Sequence, residues 1–214
     1  MPNKKHIEIS CIGISYLPPI MDLYFKLSKM TFSGNSVVRL SSNENGYAVS
    51  IVALVVFCIE SLVNKLKYHK KLDVKNNLDF LEENYGTFSP LWKKLNEFMT
   101  LRNAIAHNHI WKIEYETDEK WNELNVEKEL LDGYGRGAFS SVVDMSSKTT
   151  KLLKLRIIPT RIGKAEAQQA IVLLDEFSDF LDKINFSLIS HEHFEFEGKV
   201  LTLKEISEVI KNKH

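Results

Sequence analysis

YAVSIVALVVFCIESLV, residues 47 to 63, is the most hydrophobic stretch of this chain, and it limits what the rest can fold into. Its uninterrupted apolar part runs from Ile51 to Ile59, short of the ~20 residues that span a bilayer. Glu60 closes the run, and Lys65, Lys67, His69, Lys70 and Lys71 make the next turns basic. A helix that is apolar on every side needs neighbours on every side. The segment from about Tyr47 to Lys71 is therefore the predicted central helix of a bundle. Its lysines suit the C-terminal end of the helix dipole, with RNA contact as their alternative use. The expected class is a mainly α, soluble, cytoplasmic protein with no membrane association.

Other segments supply the covering helices. PPIMDLYFKLSKM predicts a short helix with proline at its start, and KAEAQQAIVLLDEFSDFLDKI predicts an amphipathic one. SPLWKKLNEFMTLRNAIAH predicts a helix with Ser89 as N-cap and Pro90 in the first turn, stopping near Asn108. HIEISCIGISYL and IWKIEYE alternate as strands do, and KLLKLRIIPT is the expected partner of IWKIEYE. SGNSVVRLSSNENG, residues 33 to 46, reads as a loop, and residues 117 to 150 as a polar inserted loop region. HFEFEGKVLTLKEISEVIKNK predicts a hairpin around Glu197-Gly198 and a short helix with a Thr202/Glu205 capping box. The expected layout is an extension over residues 1–45, a helical domain over 46–187 with its insertion at about 110–160, and a tail over 188–214.

Several function classes find no support. Lys+Arg and Asp+Glu both total 28, so strong sequence-blind binding of nucleic acid over the whole surface is disfavoured, though a local patch is not. Cys11 and Cys58 lie far apart without CxxC spacing, which argues against a disulfide framework or zinc ribbon and fits a reducing compartment. MPNKKHIEIS passes into an alternating segment and not the apolar core of a signal peptide. His107-Asn108-His109 spells HNH without the spaced elements of those metal nucleases. His191 and His193 share a strand face but lack a clear third ligand. No metal and no cofactor is expected. GYGRG lacks the Gly-Lys-Ser/Thr of a phosphate loop and reads as flexible, with Tyr134 and Arg136 able to touch a substrate strand. Ser140 and Ser141 have no nucleophile-elbow motif around them.

The chemistry concentrates in LRNAIAHNHIW, residues 101 to 111. At about 100° per residue, Leu91, Leu95, Phe98 and Ile105 form one stripe, flanked by Met99, Leu101 and Ala106. Arg102 falls in the middle of that arc, and His107 lies about 140° round from it. Asn103 precedes His107 by one helical turn. A guanidinium on an apolar face must find partners, and Glu60 is the obvious one. His107 has a structural alternative of its own, as a favourable charge at a helix C-terminus.

Arg102, four residues, then His107, with Asn103 directly after the arginine, resembles the Arg-x4–6-His signature of the HEPN superfamily. The acid-bearing apolar helix FCIESLVNKL before it and the amphipathic helix from Lys164 to Ile184 after it extend the resemblance over residues 46 to 187. The resemblance implies an up-and-down helical bundle, here with a small β insertion and short N- and C-terminal α/β decorations. It also implies a homodimer whose paired motif helices build one cleft for RNA. The implied activity is metal-independent endoribonuclease, as a toxin or phage-defence effector under an antitoxin or regulatory partner. The alternative is a non-catalytic HEPN-like module for RNA binding or protein interaction. Arg102, Asn103 and His107 would be the catalytic residues, supported by Glu60 and His109. Histidine suits a base near neutrality, and a forked, permanently charged arginine suits phosphate. Some relatives continue the motif as His-x-Tyr, a target for nucleotide modification. His109 stands in place of that tyrosine, which takes away the acceptor for such control.

Overall fold

Ser41 fixes the start of the longest helix: its hydroxyl accepts the Glu44 N–H at 3.2 Å and satisfies one of the first turn's open donors. The computed structural model describes residues 12–31, 38–71, 76–107, 109–120, 122–132, 136–186, 189, 192–196 and 198–212. Helix α2 spans Ser42–Lys70, so the end of the expected 33–46 loop is helical and the helix begins before Tyr47. The Ser41-Ser42-Asn43-Glu44 sequence is the capping signal behind that earlier start.

Helix α1 (Leu17–Ser28) opens on two prolines and buries Leu17, Ile20, Met21, Tyr24 and Leu27, a helical one-face spacing. The connector after α2 holds a helix the periodicity did not reveal, α3 (Asn77–Tyr85), short and anchored by only Phe80 and Leu81. Helix α4 is Ser89–Ala106. Its N-cap is Phe88 and not Ser89, whose hydroxyl instead donates to Glu82 Oε1 at 2.8 Å. Helix α5 spans Arg136–Val142 and α6 spans Lys164–Lys183.

The central helix is packed as its composition demands. α2 touches α1, α4 and α6, and Ile51, Val52, Val55, Val56, Cys58 and Ile59 have no exposed surface. By length and composition α2 could cross a membrane, yet half of its most apolar window is buried against these helices. At one end of the core Trp92, Phe88 and Tyr85 meet the Phe180 ring at centroid distances of 4.8, 5.0 and 5.2 Å, all edge-on. Such contacts contribute about 0.5–1.5 kcal/mol beyond area burial.

Three expectations need correction. The predicted N-terminal strand lies mostly outside the described residues, and its described part, Gly13–Tyr16, is a 3-10 turn. IWKIEYE is a strand, β1 (Ile110–Thr117), but its antiparallel partner is β2 (Glu123–Asp132), from the segment read as loop. Asp118 closes the ribbon by accepting the Lys120 and Asn122 N–H groups at 2.9 and 2.8 Å. KLLKLRIIPT does not join it, because Leu155, Ile157 and Ile158 are buried directly in the body at 0%, 0% and 3% exposure. The rest of the insertion carries α5 and a small hairpin of β3 (Val143–Asp144) and β4 (Thr149–Thr150).

The insertion is tied to the end of α4. Ala104, Phe139, Val143 and Ile157 form a second apolar cluster, flanked by Trp111, Leu130 and Met145. The tail follows its predicted pattern. β5 (His193–Phe196) pairs with β6 (Lys199–Thr202), and Gly198 at φ 73 takes a turn conformation that a side chain would strain. Helix α7 (Leu203–Lys211) begins with the Thr202/Glu205 capping box and sends Leu203, Ile206 and Ile210 into the main core. Glu197, Tyr134 and His191 lie outside the described residues.

Candidate functional site

The buried face of α4 turns as the helix advances. Leu91, Trp92 and Leu95 are buried early, whereas Phe98, Leu101 and Ala104 are buried late. At about 100° per residue the later set is rotated away from Arg102, toward the insertion. Ile105 is consequently only half-buried and Ala106 exposed, and Arg102 lies at the edge of the packed face and not in its middle.

From that edge Arg102 reaches α2. Its Nη2 donates to Glu60 Oε1 at 2.5 Å, with 17% of the arginine side chain and 22% of the glutamate side chain exposed. The guanidinium carbon stands 5.3 Å from the centre of the Phe57 ring, one turn earlier on α2. Arg102 Nε is buried and has no hydrogen-bond partner among the described residues. Burial pushes the Glu60 carboxyl above the usual carboxylate range, and the neighbouring guanidinium offsets this only in part. A carboxylate and a cation are thus held together where both are incompletely hydrated.

His107 is the C-cap of α4, exposed, with its N–H donating to the Asn103 carbonyl at 2.9 Å. Asn103, one turn back, is half-buried. His109 goes elsewhere: it is 4% exposed, its N–H donates to the Ala104 carbonyl at 3.0 Å, and its ring meets Phe139 edge-on at 4.9 Å. It packs the insertion onto α4, away from solvent. The fold therefore brings together Arg102 and Glu60, and sets His107 and Asn103 on the helix's last turn.

Sequence reading missed three participants. Phe57 was absorbed into the apolar run, although it is 36% exposed. Glu97, 4% exposed, accepts the Leu152 and Leu153 N–H groups at 2.5 and 2.7 Å and so moors the insertion to the motif helix. No periodicity marks it, since Glu97 sits beside Phe98 as any surface glutamate would. Lys128 lies on the half-buried face of β2 between Val126 and Leu130, an alternation visible once the segment is read as a strand. Among the described residues no group of three or more His, Cys, Asp or Glu side chains converges as metal ligands do.

Compared with known proteins, the chain matches no family model, no curated protein and no solved structure. The geometry of the Arg102 and His107 region is what a functional reading has to rest on.

Proposed function

We propose that this protein is a metal-independent endoribonuclease of the HEPN type, working as a homodimer in the role of a toxin or phage-defence effector. The observation that carries this reading is the arginine. Arg102 keeps 17% of its side chain exposed and, among the described residues, a buried Nε without a partner, five residues before an exposed histidine.

In this scheme His107 takes the proton of a ribose 2′-hydroxyl, and the 2′-oxygen forms a bond to the adjacent phosphorus. The bond to the 5′-oxygen breaks, and that oxygen takes a proton from water to leave as a 5′-hydroxyl, giving a 2′,3′-cyclic phosphate. Arg102 meets the charge that develops on the non-bridging phosphoryl oxygens. Asn103 orients the imidazole. Glu60 positions Arg102 and does not touch the substrate.

A homodimer is favoured by the surface beside the pair. Ile12, Ile14 and Phe57 are exposed by 54%, 39% and 36%, and Tyr16 leans on Phe57 at 6.4 Å. A two-fold contact there would be self-complementary and would bring a second Arg102–His107 pair to the same groove. The rival, a non-catalytic helical module, is favoured by one observation: Glu60 already occupies Nη2 of Arg102 at 2.5 Å.

The test is cleavage of RNA in excess EDTA, with products carrying cyclic phosphate. His107→Ala should slow cleavage by ~10²–10⁴ without loss of fold, as for removal of a general base. Wild-type activity in that variant, or an absolute need for Mg²⁺ or Mn²⁺, would exclude the scheme. Mixing the Arg102→Ala and His107→Ala chains should restore part of the activity if the groove is shared.

A further inference from the structure

Lys128 and Lys148, both in the insertion, face one cleft. Lys128 stands on the half-buried face of the β1–β2 ribbon, directly opposite Ile113. Lys128 and Lys148 line an open cleft of about 410 Å³ together with Phe139, Ser140 and Met145. The Lys148 amine lies 5.8 Å from the centre of the Trp111 ring. Among the described residues neither lysine has an ion-pair partner. Among the described residues, Trp111 Nε1 and Arg161 Nε are buried donors without a partner.

Two of the carboxylates in reach are engaged elsewhere. Glu123 accepts the Val38 N–H at 3.0 Å, and Glu166 holds Arg156 by two side-chain bonds at 2.8 and 2.6 Å. Glu129 lines the cleft from the exposed face of β2, opposite Lys112. Burial, then Arg161, then Lys148 hold the Lys128 amine below the usual lysine range, and Glu123 offsets only part of this. Arg161 is lowered likewise, by burial and by Arg156. Lys148 itself adopts φ 57, a conformation uncommon for a residue with a Cβ. Lys128 and Lys148 share the cleft, and each disfavours the other's charge there, which an anion in the cleft would relieve.

We infer that Lys128 and Lys148 form a seat for the phosphate backbone of single-stranded RNA, flanking the site of cleavage. The inference rests on the ribonuclease proposal for its ligand. The link to that site is Phe139, which walls the cleft on one side and packs against His109 at 4.9 Å on the other. A strand seated there runs past the end of α4, where His107 is exposed.

The test is binding of a fluorescent 2′-O-methyl polyuridine 20-mer, which lacks the hydroxyl needed for cleavage, to the full chain at several salt concentrations. Lys128→Gln combined with Lys148→Gly should weaken binding about ten-fold and make the salt dependence shallower by about 1.4, the loss of two phosphate contacts on a single strand. Glycine suits φ 57, so Lys148→Gly alone should leave the melting midpoint no lower than wild type while weakening binding. Unchanged affinity and salt slope in the folded double variant would overturn the seat, and RNA cleavage by the wild type in that case leaves the ribonuclease proposal standing. Weakened binding from a wild type that cleaves nothing supports the seat and removes the ribonuclease.

Discussion

Replacing Glu60 by alanine is the perturbation that best separates a structural arginine from a working one. The pair is mostly enclosed, at 17% and 22% side-chain exposure. Breaking a fully buried pair costs about 3–5 kcal/mol, and exposed pairs are worth roughly 0.2–1 kcal/mol. The residual exposure of both partners puts Glu60→Ala between them, at about 2–3 kcal/mol. With a urea dependence of roughly 2–3 kcal/mol per molar, the unfolding midpoint should drop by about 1 M. A double-mutant cycle with Arg102→Ala should show coupling of about 1–2 kcal/mol. The pH dependence supplies an independent check. The folded Glu60 carboxyl titrates above its unfolded value near 4.5, so folding favours its protonated form. Its stabilising contribution is complete below that value and is lost as pH rises through the folded pKa. Glu60→Gln should therefore remove part of the fall in stability as pH rises above about 4.5. Coupling below about 0.3 kcal/mol, with an unchanged pH profile, would refute the pairing and leave Arg102 as a solvent-facing group.

Glu97→Gln should destabilise the fold by about 1.5–3 kcal/mol, because an amide NH₂ then faces one of two N–H groups that now bond a buried carboxylate. Urea denaturation measures this, and a change below about 0.5 kcal/mol would show that the insertion is moored elsewhere. Gly163→Ala should cost about 1–3 kcal/mol, since its Cβ would lie 2.5 Å from Leu40 Cδ1 and 2.6 Å from Glu44 Oε1. Melting midpoints check it, and a neutral result would mean that Glu44 moves aside freely despite accepting the Lys164 N–H at 3.2 Å.

Helices whose pattern runs long were legible from residue order, and so were elements whose ends carry local chemistry. α2, α6 and the Thr202/Glu205-capped α7 belong to that group, as does the Glu60–Arg102 pair. α3 was not, because a nine-residue helix with two buried side chains has too little periodicity to stand out. The partner of β1 was misassigned for a physical reason. KLLKLRIIPT is the more apolar segment, but apolar residues there are wanted by the core, and a ribbon with one exposed face takes the alternating ELNVEKELLD instead. Phe57 was not legible, because every member of an apolar run has the same pattern whether it faces the core or, like Phe57, outward.

The last turn of α4 is held from two directions, and this bears on how its chemistry could be controlled. On one side Glu60 and Phe57 of α2 fix Arg102. On the other, Ala104 and His109 are gripped by Phe139 and the insertion, which Glu97 moors to the middle of the same helix. His107 lies between these holds, exposed, at the point where the helix stops and β1 has not begun. Its position relative to Arg102 therefore depends on whether the insertion is seated. A ligand that fills the Lys128–Lys148 cleft acts on the same wall, Phe139, that supports His109. The bundle alone determines where Arg102 points, whereas the insertion contributes to where His107 points. Loss of the Glu97 mooring should then disturb His107 more than Arg102, an asymmetry that a purely packed helix end would not produce.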